Sequence, residues 1–190
     1  MSARVRAGAR TRGRTSVAAL LVGALLALVG CTGDEGGGTP ARTLPVDLPD
    51  LTLASFDGGP ELELAELEGP AVINLWASWC TPCRKEMPLL EEFHQEHGSE
   101  VQMIGVDFQD NQVDGPKGAK ALAEETGVTY PLHTDFEGQI AEAPMPRVPS
   151  LPFLLFVDAE GQVVAWEFKV VESVDDLEQL VAEHLDVEVT

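Results

Sequence analysis

Cations are scarce in this 190-residue chain, where 12 Lys and Arg stand against 32 Asp and Glu for a formal charge of −20. So acidic a surface speaks against nucleic acid as a partner, because its recognition needs a basic face. A long apolar run is also lacking. The uncharged stretch Ser16 to Gly30 ("SVAALLVGALLALVG") has fifteen residues, short of the roughly 20 that a membrane-spanning helix needs. No internal repeat is visible. Cysteine is rare as well, with three residues, and two of these, Cys80 and Cys83, stand two residues apart. The rest is ordinary for one globular domain: 44% hydrophobic and 23% charged residues.

The N-terminus differs in kind from the rest of the chain. Arg4, Arg6, Arg10, Arg12 and Arg14 precede the apolar stretch, the pattern of an export signal over residues 1–30. The run ends in "LVGC", Leu28 to Cys31, which resembles the lipobox of bacterial lipoproteins. That resemblance implies cleavage before Cys31 and lipidation of its sulfur. An ordinary cleavage site ahead of a free cysteine is the plainer alternative, although a lone exported thiol beside a dithiol invites wrong pairing. Losing residues 1–30 removes five Arg and no acid, which leaves a mature formal charge of −25. Residues 31–50 are rich in Gly, Pro and small polar residues and read as a flexible tether. The folded domain is expected over 51–190.

Within that domain, "LTLASFDGGPELEL" (51–64) alternates around Asp57-Gly58-Gly59-Pro60 and predicts an N-terminal hairpin. Ala71 to Ala77 is almost continuously apolar, as in a strand covered on both faces. Residues 82–97 have helical spacing, with Pro88 expected to kink the helix. A second buried strand (101–108) and a second helix (Lys117 to Thr126) come next, and the alternation predicts parallel pairing. Residues 151–158 and 162–169 read as an antiparallel hairpin. A last helix begins at Ser173, an N-cap with Asp176 at N3. The expected fold is α/β and thioredoxin-like, a central mixed sheet flanked by helices.

Three readings compete for Cys80 and Cys83: a structural disulfide, half of a metal site, and a redox couple. Closing a loop of two residues removes little unfolded-chain entropy, so the pair is a poor staple. His94 and His97 give a loose zinc-finger spacing. Cys83 and His94, however, are eleven residues apart on one helix, roughly 16 Å, too far for a shared metal with ligands at about 2 Å. Both histidines read as solvated helix-end residues, and no metal is expected. The junction between a buried strand and a helix N-terminus favours thiolate chemistry. Cys80 is expected to be the exposed member, with its pKa lowered, and to attack. Cys83 is expected to be more buried and to resolve the mixed disulfide.

The segment "NLWASWCTPCRKEMP" (74–88) resembles the active-site segment of the TlpA/ResA group of membrane-anchored thioredoxin-like proteins, and the match extends over roughly residues 45–185. The resemblance implies that Trp79 belongs to the redox motif and that Trp76 is the aromatic of the strand before it. Asn74 stands where cytosolic thioredoxins carry a buried aspartate, so their internal proton acceptor is missing. Glu86 falls at the group's active-site glutamate, against the bland alternative of a solvated helical acid. Pro152 aligns with the family's cis-proline, with Pro149 as its rival, and Leu151 lies beside the active site. Residues 128–150 match only loosely, and His133 and Arg147 read as structural or surface residues. The implied protein is a lipid-anchored oxidoreductase on the outer face of the cell membrane, without a cofactor. It would reduce a protein disulfide, such as the heme-attachment cysteines of an apocytochrome c, and be recharged by a membrane thiol donor. A disulfide-donating oxidase and a non-catalytic binding lipoprotein are the alternatives.

Overall fold

The computed structural model describes residues 43–111 and 115–189. Residues 1–30, expected to be an export signal, Cys31 and residues 32–42 of the expected tether lie outside the described residues. Among those described, no helix is long and apolar enough to cross a membrane.

Among the described residues, eight strands form one mixed sheet. In chain order they are β1 (Val46–Asp47), β2 (Thr52–Ser55), β3 (Leu62–Glu63), β4 (Ala71–Trp76), β5 (Gln102–Phe108), β6 (Leu132–Asp135), β7 (Phe153–Val157) and β8 (Gln162–Glu167). Across the sheet the order is β1-β8-β7-β4-β5-β6-β2-β3. Helix α1 (Thr81–His97) joins β4 to β5, α2 (Gly115–Thr126) joins β5 to β6, and α3 (Val174–Leu185) comes after β8. Both crossovers produce parallel pairs, β4 with β5 and β5 with β6, while β7 and β8 return antiparallel.

The central strand β4 is buried at every position, which explains why its sequence does not alternate. Its two faces meet different layers. Val72 packs with Leu90 and Phe93 of α1 and with Leu177, Leu180 and Val181 of α3. Ile73 and Leu75 point the other way, into the cluster that holds Ala119 and Leu122 of α2 together with both cysteines. Helix α1 starts on Cys80 as N-cap, with Pro82 in its first turn, where a missing N–H costs nothing. Pro88 stands inside a helix that runs without a break from Thr81 to His97. Ser173 caps α3, its side chain accepting the Asp176 N–H.

Two parts of the sheet depart from expectation. Val46–Asp47 pairs with β8 and Leu48 is buried, so folded structure begins inside the stretch read as tether, before Leu51. A two-residue strand carries too little pattern to be seen among Gly and Pro. Strand β6, in the loosely matching region, was also not anticipated. It is short, alternates in burial and comes directly after Pro131, and β2 docks on its outer edge. That docking makes the N-terminal hairpin an extension of the sheet.

Candidate active site

The turn after β4 delivers Cys80 to the start of α1. Its N–H donates to Ala77 O at 3.0 Å, closing the turn. Cys80 and Cys83 are joined by a disulfide, and the Cys83 N–H donates to Cys80 Sγ at 3.2 Å. A sulfur at the N-cap thus takes one of the free donors at the positive end of the helix dipole, a setting that favours a thiolate. One expectation needs correcting. Cys80 is not exposed in this disulfide form: it is 3% accessible, and Cys83 0%. The exposed aromatic of the motif is its neighbour Trp79, at 50%. Thr81 and Pro82, between the two cysteines, are exposed as well, so the accessible rim of the sulfur pair is Trp79, Thr81 and Pro82.

Antiparallel pairing of Leu75 with Phe153 sets the preceding residue, Pro152, beside the end of β4 where the cysteine turn begins. The Leu151–Pro152 bond is cis. Leu151 is buried in the same apolar cluster as Cys80 and Cys83. Pro149, the rival, is exposed.

Glu86 is not a solvated acid. It lies one turn beyond Cys83 on the same helix face and is fully buried. Asn74 Nδ2 donates to its Oε1 at 2.9 Å, and the Val171 N–H donates to its Oε2 at 3.1 Å. Burial pushes the carboxyl up to about 7, against the pull of the Val171 and Asn74 hydrogen bonds, which favour the charged form. A carboxyl balanced near neutrality, one helical turn from a cysteine of the pair, can hold a proton or release it. Asn74 therefore does more than replace a missing acid: it hydrogen-bonds the acid that α1 supplies.

Sequence reasoning missed two further acids. Asp110 Oδ2 accepts the Ser78 N–H at 2.6 Å, two residues before Cys80. Asp107, in register with Trp76, is buried and pushed up to about 8 by its burial and then by the Asp110 charge. An acid inside the apolar run "VQMIGVDF" with another three residues on was the available signal.

The histidines are where the metal reading did not need them, and neither is a solvated end residue. His94 is half-buried with its ring edge-on to Tyr130. His97 is 3% accessible, packs on Phe93, and meets Glu178 Oε1 of α3 through Nε2 at 2.8 Å. Glu96, His97 and Glu178 bring three ligand-type atoms within 4.8 Å of one another, but that group contains neither cysteine. His133 is buried on β6, its pKa lowered by burial, and Arg147 is exposed.

Comparison with known proteins places this geometry. Residues 46–166 match the model of the AhpC/TSA family. The thioredoxin-like protein YneN of Bacillus subtilis is 30% identical over 116 residues, covering 60% of this chain and 65% of the relative. The thiol-disulfide oxidoreductase ResA of Geobacillus thermodenitrificans is 32% identical over 117 residues, covering 60% and 63%. The chain thus spans a little under two thirds of the length of these curated relatives. Among solved structures, a thio-disulfide isomerase from Thermus thermophilus superposes with a TM-score of 0.59 at 26% identity, over 75% of this chain and 96% of that one. A thiol:disulfide interchange protein from Chlorobium tepidum gives 0.62 at 21% identity, over 76% and 99%. The fold is thioredoxin-like.

Proposed function

The chain belongs to the AhpC/TSA family, and on that premise we propose that it is an extracytoplasmic, membrane-anchored thiol–disulfide oxidoreductase that reduces protein disulfides. The observation that carries this reading is the Cys80–Cys83 disulfide seated on the α1 N-terminus with the buried carboxyl of Glu86 one turn on. A structural staple requires no such carboxyl.

In the reduced protein the Cys80 thiolate attacks one sulfur of a client disulfide. A mixed disulfide forms, and the client's other sulfur leaves as a thiolate. Cys83 then attacks Cys80 Sγ, its thiol proton passing to Glu86. The client departs with both its sulfurs reduced, and the Cys80–Cys83 bond holds the two electrons' worth of oxidation. The cis Leu151–Pro152 backbone, beside the end of β4, offers an edge for the client's peptide, and exposed Trp79 offers an apolar contact. Reduction by a membrane thiol donor runs the same steps backwards.

The names of the relatives support the chemistry and leave the client open. An apocytochrome c with oxidised heme-attachment cysteines is the client we favour, since a reductant outside the cytoplasm serves disulfides that form there unwanted. The lipobox-like Leu28 to Cys31 supports anchoring through Cys31 at the outer face of the cell membrane. Two experiments test the proposal. Purified protein should speed the reduction of a test protein disulfide by dithiothreitol, and Cys80→Ser should abolish the effect. In cells, labelled palmitate should enter the protein and be lost with Cys31→Ser; catalysis without labelling would remove the anchor and keep the chemistry.

A further inference from the structure

Two buried acids beside the cysteine turn have no part in the exchange between Cys80, Cys83 and a client. Asp107 is the last residue but one of β5, in register with Trp76. Asp110 lies just past the strand and takes the Ser78 N–H on Oδ2 at 2.6 Å. Both are fully buried. Among the described residues, neither oxygen of Asp107 nor Oδ1 of Asp110 has a hydrogen-bond donor. Three unpaired carboxylate oxygens carrying two negative charges do not persist in a dry interior.

The charged groups on the neighbouring elements are at the surface, uncharged or engaged elsewhere: Lys85 of α1 and Lys117 of α2 are exposed, and burial lowers the pKa of His133 on β6. Glu86 of α1 is held by Asn74 and Val171, and Arg84 of α1 pairs with Glu125 of α2. Lys120 of α2 approaches Glu124. On β6, Asp135 takes the N–H groups of Gly138, Gln139 and Ile140, and only Asp110 exerts a charge effect on Asp107. One proton between the two acids satisfies them both. That proton would lie between Asp107 and Asp110 Oδ1, in keeping with the side-chain hydrogen bond to Asp110 that helps raise Asp107, and would leave the Asp110 charge for the Ser78 amide.

We propose that Asp107 and Asp110 form a one-proton carboxyl pair that pins the Ser78 amide and so positions the Ala77–Cys80 turn for thiol–disulfide exchange. This deepens, and rests on, the redox reading of Cys80 and Cys83. The path from pair to sulfur is short: Ser78 lies within the turn closed by the Cys80 N–H on Ala77 O, and Cys80 caps α1. Asp107 and Asp110 are positioning residues, touching no client atom. When the shared proton leaves, two like charges face each other without water. The pair must then open, and Ser78 loses its fixed acceptor. The seat of Cys80 is therefore linked to a proton that neither cysteine carries.

The test uses protein carrying Cys83→Ser, labelled with nitrogen-15 and titrated from about pH 6 to about pH 10. The Ser78 amide resonance and the alkylation rate of Cys80 by iodoacetamide are followed together. Both should show a common step near the Asp107 transition, at about pH 8, with a severalfold change in alkylation rate beyond that of the thiol's own ionisation. Asp107→Asn, whose carboxamide can still donate to Asp110, should remove the step from both readouts while the Ser78 amide stays protected from hydrogen exchange. Asp107→Leu, which cannot donate, should cost that protection. A Ser78 amide without a step, or a step that survives Asp107→Asn, overturns the pair. A Ser78 step with no counterpart at Cys80 overturns the positioning. If the step appears and Asp107→Asn removes it, but wild-type protein with both cysteines fails to reduce a test disulfide, the redox reading falls and the pair stands.

Discussion

Asn74 Nδ2 donates to Glu86 Oε1 over 2.9 Å, inside the layer between β4 and α1. The other atom of the same carboxamide, Oδ1, has no donor among the described residues. A carboxamide can turn either end toward its neighbour, so it can donate to a carboxylate or accept from a carboxylic acid. An aspartate there could not serve a charged Glu86, since two adjacent carboxylates repel. Asn74→Ala should therefore raise the pH at which Glu86 ionises, because one of the two donors that favour the carboxylate disappears. Carbon-13 chemical shifts of the Glu86 carboxyl report it directly, and a transition left in place would dissociate the two residues.

Glu86 also links stability to pH. Its folded value of about 7 lies above the ordinary 4.5, so between those values the folded chain holds more protons than the unfolded one. Unfolding free energy must then fall as pH rises through that window, and Glu86's share is flat outside it. Glu86→Gln should remove from the slope a contribution on the order of 3 kcal/mol. A shallower fall reaching to about pH 8 should remain, from Asp107. Denaturant midpoints of the oxidised protein across the range measure both.

Gly105 is required by its neighbours. Across from Asn74 on β5, a Cβ there would stand 2.5 Å from Leu132 Cδ2, 2.9 Å from Tyr130 Cε2 and 3.1 Å from Trp76 Nε1. Gly105→Ala should destabilise the protein by about 1–3 kcal/mol through overpacking. A lowered Tm with the cysteines still reactive is the expected result.

Division of labour between the cysteines is open to trapping. With Cys83→Ser, Cys80 can attack but the mixed disulfide cannot resolve, so a client adduct should accumulate on non-reducing gels. Cys80→Ser should give none. Equal trapping by both variants would contradict the order of attack.

The strands and helices that place the cysteines were legible, because β4, β5 and β7 are long apolar runs and α3 carries its cap in Ser173. The state of Glu86 was not. A single acid on a helix is usually solvated, yet Cys83, Glu86, Leu90, Phe93 and His97 recur at spacings of three and four. That is the buried stripe of α1, and it carries two titratable side chains into the core. The partner that makes Glu86 tolerable there, Asn74, lies twelve positions away on another element, a relation that periodicity cannot supply. The Asp110 contact with Ser78 spans thirty-two positions and was hidden for the same reason. Burial of Cys80 escaped notice because an N-cap position alone does not say what packs over it.

The central claim is that Cys80 and Cys83 form a reducing couple, and its most direct test is their equilibrium reduction potential, measured against dithiothreitol or glutathione. A value near that of thioredoxin, about −270 mV, or at least below about −200 mV, is the result predicted for a reductant of protein disulfides. A value near that of DsbA, about −120 mV, would contradict it and make the protein a donor of disulfides.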